Sequence, residues 1–310
     1  MAEMYALRAH ARGGPERLVW EQAPVPVPGA GDVLVAVHAC AITFAELGWD
    51  LTWTTKAGDD RTPIIPSHEV SGVVAALGAG VTGFAEGDEV YGLVDFDRDG
   101  AAAEFVAARA EGMAARPRSV THEQAAALPL AALTAWQALT DQAQLQRGER
   151  VLVLGAAGGV GVYAVQLAAG LGADVTAVVA RSEQAEFVRG LGAAHVLESP
   201  EPPPAGEFDV VIDAIGGSAP DSRYQLPAPG GRLVLLAAPP AQDLAAGAGI
   251  TAQFFVVSPD SAELARLAVL TDEGRLRPVV SQTFPVRDGR RAFESASQPR
   301  PPGKTVLIVR

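Results

Sequence analysis

Cysteine is nearly absent: Cys40 is the only one in 310 residues. That excludes an intramolecular disulfide and any metal cluster built from several thiolates, and it fits a reducing compartment. Lysine is almost as scarce, with only Lys56 and Lys304 in an arginine-dominated set of cations. Positive charge is outweighed: 24 Lys and Arg face 36 Asp and Glu, for a formal net charge of −12. Such a balance argues against nucleic acid or an anionic membrane as a main partner. It says little about a small anionic cofactor, which local dipoles and one or two basic groups can hold. The N-terminal run Met-Ala-Glu-Met-Tyr-Ala-Leu-Arg lacks the apolar core of a signal peptide, so the expected location is cytoplasmic. Residues 151–173 carry no charge and could span a bilayer by length, yet they hold six glycines in a strand–turn–helix pattern. A parallel strand buried on both faces reads this apolar without a membrane, so no transmembrane helix is expected.

That same segment is the most informative part of the chain. Residues 151–154 are an apolar run of strand length, followed by the turn Gly155-Ala-Ala-Gly-Gly-Val-Gly161. Val160, Ala164, Leu167, Ala168 and Leu171 then recur at helical spacing, and residues 174–179 form a second strand. Strand, glycine turn, helix and strand in about 30 residues make a βαβ unit of the dinucleotide-binding kind. Gly158, Gly159 and Gly161 lack the Cβ that would keep the backbone away from a pyrophosphate. The helix after them aims free N–H groups and its positive dipole end at that anion. A bare βα turn without ligand is the alternative reading.

At the end of the second strand an NAD enzyme usually carries Asp or Glu for the ribose hydroxyls. Here the chain reads Ala180-Arg181-Ser182. A carboxylate would repel a 2′-phosphate, whereas a guanidinium can bind it with two parallel charge-assisted bonds. Arg181 and Ser182 therefore favour NADP(H), with Glu183 as a nearby opposing charge.

A chain of this length suits two domains of ordinary size. Residues 1–110 read as β-rich, with short strands expected at 34–37, 70–76, 89–93 and 103–107 and turn signals between them. Such spacing suggests a small, mostly antiparallel barrel. Helical stretches follow at 121–128 and 131–140, broken at Pro129. From residue 150 strands and helices alternate, with strands at 151–154, 174–179, 195–197, 209–213, 231–237 and 249–257. That alternation predicts a doubly wound parallel sheet. A helix over 261–273 precedes two further strands, 279–284 and 305–309, which return to the first domain. The expected division is 1–120 with 275–310 for the barrel domain, and 121–274 for the nucleotide-binding domain. The strand at 249–257 comes late in the sheet, carries neither charge nor proline, and so invites pairing with a second copy as a homodimer.

Read in order, a set of short motifs resembles a known family. They are Gly31-Asp-Val-Leu-Val, Pro66-Ser-His-Glu-Val-Ser-Gly-Val-Val74, Gly87-Asp-Glu-Val-Tyr-Gly92 and Ala103-Glu-Phe105. Leu128-Pro-Leu-Ala-Ala-Leu-Thr-Ala-Trp136, the glycine turn, Val211-Ile-Asp-Ala-Ile-Gly-Gly217, Pro229-Gly-Gly-Arg-Leu-Val234 and Gly303-Lys304 continue it. The chain resembles zinc-independent medium-chain dehydrogenases/reductases of the quinone oxidoreductase-like branch, over nearly its full length. The resemblance implies an α/β fold, a Rossmann doubly wound parallel sheet plus a GroES-like β-barrel domain, with nicotinamide and substrate held between them. It also implies dimerisation through the late edge of the Rossmann sheet.

His68-Glu69 matches the His-Glu pair of the zinc alcohol dehydrogenases, whose histidine binds the catalytic metal. The family's cysteine ligands would align with Thr43 and near Leu130, so both are missing here. A catalytic zinc needs three protein ligands, and no metal is expected. His68 then reads as a polar wall of the active site or as a histidine satisfied by backbone. Thr43 is a candidate donor to a substrate carbonyl. Phe44, Trp49 and Trp53 are candidate substrate-lining residues, the tryptophans alternatively filling core or forming a lid. Candidate cofactor-binding residues are Ala157, Gly158, Gly159, Val160, Arg181, Ser182, Ala214, Phe255 and Lys304. The resemblance places Lys304 near the cofactor or the cleft.

The expected function is NADPH-dependent reduction of an activated C=C bond in a small molecule: an enone, a quinone or an enoyl compound. Without a metal, side-chain or backbone donors must stabilise the enolate oxygen, at roughly 2.7–4 kcal/mol per donor. Two alternatives stay open. One is a zinc-free alcohol dehydrogenase or carbonyl reductase. The other is a non-redox biosynthetic enzyme or an NADPH-binding sensor on the same scaffold.

Overall fold

A computed structural model describes residues 2–199, 203–215 and 220–310. These pack as two compact units. Met1–Leu130, Pro259–Gly274 and Pro278–Arg310 form the first, Ala131–Ser258 and Arg275–Arg277 the second. The first opens with an antiparallel ribbon of β1 (Glu3–Ala9) and β2 (Leu18–Pro24). The long strand β3 (Asp32–Ile42) follows, then β4 (Glu69–Leu77), β5 (Glu89–Leu93), β6 (Phe105–Arg109) and β7 (Met113–Ala115). The ribbon has no clear signature in sequence. Its inward positions include small Ala6, Ala9 and Ala23, while Tyr5 and Val19 lie on the exposed face, so the period-2 pattern is blurred.

The second unit carries β8 (Arg150–Leu154), β9 (Asp174–Val179), β10 (His195–Glu198), β11 (Phe208–Asp213), β12 (Pro227–Leu235) and β13 (Thr251–Phe254). All six pair in parallel in the order β10-β9-β8-β11-β12-β13. Numbered within the unit this is 3-2-1-4-5-6, the Rossmann order, whose switch point lies between β8 and β11. Val151, Leu152 and Val153 are all fully buried, as expected of a central parallel strand covered on both faces. The strand expected at 249–257 is shorter. Gly249, at φ +67°, ends the helix Gln242–Ala248, and pairing covers only Thr251–Phe254.

The chain then returns with β14 (Val280–Pro285) and β15 (Lys304–Ile308). The first unit's main sheet runs β14-β15-β3-β4-β5-β7, with β6 also paired to β3. The compact units divide at Leu130 and Ser258 rather than near 120 and 274. The helix Ser261–Asp272 belongs to the first unit because it is tied there. Tyr91 Oη donates to Leu264 O at 2.6 Å, and Ser119 N donates to Asp272 Oδ1 at 2.8 Å. Pro129 does mark a break, and it opens the helix Pro129–Gln137, a first-turn position where its missing N–H costs nothing.

Candidate active site

In the second unit the glycine turn joins β8 to the helix Gly161–Leu171. Gly155 takes φ +73°, and Gly158 N donates back to Gly155 O at 2.9 Å, closing a tight loop. A Cβ on Gly161 would lie 2.1 Å from Gly155 O, so only glycine lets the helix start this close to the turn. Ala157 is buried beneath the loop, Gly158 is exposed, and Gly159 and Val160 are half-buried. Ala214 N donates to Leu154 O at 3.1 Å, which sets the end of β11 beside Gly155. Ala214 and the turn therefore flank the switch point together, a cradle that fits a pyrophosphate at a helix N-terminus.

At the end of β9, Arg181 is half-buried and Ser182 exposed, and Arg181 Nε lies 3.3 Å from Glu183 Oε1. Phe255 is half-buried just beyond β13, at the sheet's other side. Asp213 and Arg223, absent from the sequence-based candidates, form an ion pair behind the switch point, and Asp213 also accepts Ile215 N–H at 3.0 Å. Burial raises the Asp213 carboxyl pKa against the pull of Arg223. Gly216 and Gly217 of the Val211–Gly217 motif lie outside the described residues.

The first unit holds a compact polar cluster. Lys304, at the start of β15, is 5% exposed and pairs with Glu69, the first residue of β4. Lys304 Nζ also donates to Thr43 Oγ1 at 3.1 Å, and Glu69 Oε1 accepts Leu130 N–H at 3.0 Å. A threonine oxygen that accepts from an ammonium keeps its own O–H free to donate elsewhere. Two sequence candidates of different assigned roles, Thr43 and Lys304, thus meet at one point. Phe44 is half-buried beside Thr43, with the Arg300 guanidinium 3.9 Å from its ring centroid.

His68 is buried and its Nδ1 has no hydrogen-bond partner. Burial, aided by the Arg61 charge, holds it well below the ordinary histidine value, at about 4. Its ring and that of Phe96 form a T-shaped pair with centroids 5.2 Å apart, and Phe96 forms a second such pair with Trp49 at 5.5 Å. Trp53 stands apart from this row. It is 3% exposed, packs in the barrel core, and spends its indole N–H on Leu47 O at 2.9 Å. Glu46 was invisible as a candidate, its only signal being a lone acid inside the apolar run 39–49. It is buried and accepts the N–H groups of both Thr43 and Ser67.

Residues 29–129 match the alcohol dehydrogenase GroES-like domain, and residues 191–307 match the zinc-binding dehydrogenase family. The chain is 32% identical to the human mitochondrial NAD(P)H oxidoreductase RTN4IP1, over 90% of this chain and 82% of that one. It is 36% identical to the spectinabilin polyketide synthase system protein NorB of Streptomyces orinoci, over 93% of this chain but 14% of that longer protein. Among solved structures, the quinone oxidoreductase from Coxiella burnetii superposes with a TM-score of 0.88 at 27% identity, covering all of both chains.

Zinc does not fit the residues at His68-Glu69. The Glu69 carboxylate is taken up by Lys304 and Leu130, Thr43 and Leu130 supply no thiolate, and among the described residues no three His, Cys, Asp or Glu side chains gather to hold a metal. A nicotinamide cofactor does fit the glycine cradle, and no described helix is long and apolar enough to cross a membrane. With its GroES-like and Rossmann units and these relatives, the chain is an oxidoreductase of the medium-chain dehydrogenase/reductase family, in the quinone oxidoreductase-like branch.

Proposed function

We propose that this chain reduces an activated C=C bond of an enone, quinone or enoyl compound with NADPH, as a cytoplasmic homodimer and without a metal. The observation that carries the reading is the Lys304–Thr43 contact. It places an ammonium and a hydroxyl side by side, both able to donate to one developing oxyanion. The bound nicotinamide supplies the hydride. The chain's own residues do the rest. Gly158, Gly159, Val160 and the helix start would bind the pyrophosphate, and Arg181 with Ser182 the 2′-phosphate. Thr43 Oγ1 and Lys304 Nζ would hold the substrate oxygen as negative charge grows on it, while the ion pair with Glu69 keeps Lys304 in place. Phe44 and Trp49 offer apolar surface to the substrate. His68, kept neutral by burial and in ring contact with Phe96, would be a polar wall of the site and not a proton source at neutral pH.

The test is a panel of quinones, enones and aldehydes assayed for NADPH oxidation with product analysis. Saturated ketone or hydroquinone products support the reading. Alcohols from aldehydes alone would replace it with a carbonyl reductase.

A further inference from the structure

Glu46 is a buried carboxylate, 1% exposed, that neither the cofactor cradle nor the donor pair requires as a charge. Its Oε1 accepts Thr43 N–H at 3.2 Å, and its Oε2 accepts Ser67 N–H at 2.9 Å. One side chain therefore ties the loop after β3 to the turn before β4. Both attachment points govern the donor cluster. Thr43 carries the hydroxyl that Lys304 touches, and Ser67 lies two residues before Glu69, the partner of Lys304. Ser67 sits at φ +72°, a left-handed conformation that a side-chain-bearing residue holds only when its surroundings fix it. Its N–H bond to Glu46 and its carbonyl bond from Ala101 N are two of those restraints.

We propose that Glu46 is the positioning residue of this site: by holding Thr43 and Ser67 together it sets the alignment of the Thr43 hydroxyl with the Glu69–Lys304 pair, and it does so only as a carboxylate. The inference rests on the reading of Thr43 and Lys304 as donors to the substrate oxygen. A protonated Glu46 turns one oxygen into a hydroxyl, a donor and a far poorer acceptor than a carboxylate oxygen, so one of the two N–H ties is weakened. The charged and titratable groups around it are Lys304 from β15, Glu69 from β4 and the Cys40 thiol from β3. Burial pushes Glu46 up and the Glu69 charge adds to it. The two N–H bonds and Lys304 pull it back, leaving it at about 7. Burial also drives the Cys40 thiol up, so Cys40 stays neutral at such pH.

Lys304 and Lys56 are the only lysines, so the full chain labelled with 13Cε-lysine yields two side-chain NMR signals, and Lys56→Arg assigns them. The parent's Lys304 signal should move with a midpoint near 7, and Glu46→Gln should abolish that inflection. With NADPH and 9,10-phenanthrenequinone, Glu46→Gln should lower kcat about tenfold and flatten its pH profile, with NADPH Kd within about twofold of the parent. Glu46→Asp, which can still ionise, should keep an inflection. A parent Lys304 signal without a midpoint near 7, or one that persists in Glu46→Gln, overturns the proposal. So does a kcat loss matched by an equal loss of NADPH affinity. If the parent reduces no quinone or enone, the donor reading fails, while the NMR titrations of the parent and Glu46→Asp still decide the role of Glu46.

Discussion

Lys304 on β15 and Glu69 on β4 meet across β3, the strand that separates them in the sheet, and both side chains are almost wholly buried. Burying two charges costs several kcal/mol each, which mutual attraction repays only if their other bonding capacity is also met. Here Thr43 Oγ1 receives one Lys304 proton and Leu130 N–H meets the Glu69 carboxylate. Such a pair adds little net stability and much geometric definition.

Removing one partner should therefore cost far more than removing both. Lys304→Met is expected to destabilise the chain by roughly 3–5 kcal/mol, and Lys304→Met with Glu69→Gln to recover most of that. Urea unfolding measures both. A single-variant loss below about 1 kcal/mol would show that the pair is solvated or loosely held.

Cofactor choice should rest on Arg181. NADPH is expected to bind more tightly than NADH by at least about tenfold, or 1.4 kcal/mol. Arg181→Ala should erode that ratio with little effect on NADH. Because Glu183 lies 3.3 Å from Arg181 and competes for it, Glu183→Gln should widen the ratio. Equal affinity of the parent for both cofactors would defeat the assignment.

Acid should destabilise the protein through His68. Its folded value of about 4 lies below the ordinary 6.5, so the unfolded chain takes up the proton first as pH falls. The stability is fully present above 6.5 and is lost progressively down to about 4, on the order of 3 kcal/mol in all. His122 is depressed in the same direction by burial and by His38, so a residual slope should remain in His68→Asn. Urea midpoints at neutral and acid pH, for parent and variant, check this. An unchanged acid slope in His68→Asn would contradict it.

Purified protein should contain far less than one zinc per chain, and chelators should leave its NADPH oxidation intact. The donor set around Glu69 motivates this, since Lys304 occupies the carboxylate a metal would need. Stoichiometric zinc that disappears in His68→Asn would refute it.

Strand β13 lies at the end of its sheet order, and Val256 beyond it is 54% exposed. Light scattering is expected to report a dimer that Phe255→Lys dissociates. A monomeric parent rejects the dimer, and a dimer that survives the substitution moves its seam elsewhere.

The nucleotide-binding unit was legible because its signals are local. A buried strand, a turn that tolerates no Cβ at Gly161 and a helix at 3.6-residue spacing follow from steric and solvation properties of neighbouring residues. The alternation of strands and helices after residue 150 likewise determines a parallel sheet. In the barrel unit, β4 and β5 were read nearly to their ends, whereas the β1–β2 ribbon was hidden by small inward residues. Thr43, His68 and Lys304 could each be singled out from sequence, but not their relationship. That Lys304 serves Thr43 and Glu69 at once follows from the strand order β15-β3-β4. Glu46 had no local signal at all, because a lone acid in an apolar run means little until its two N–H partners are known. Periodicity and glycine sterics act along the chain, and sequence alone determined what they govern. Charge pairing and desolvation act through space, so only the tertiary structure decided which buried charges stand together.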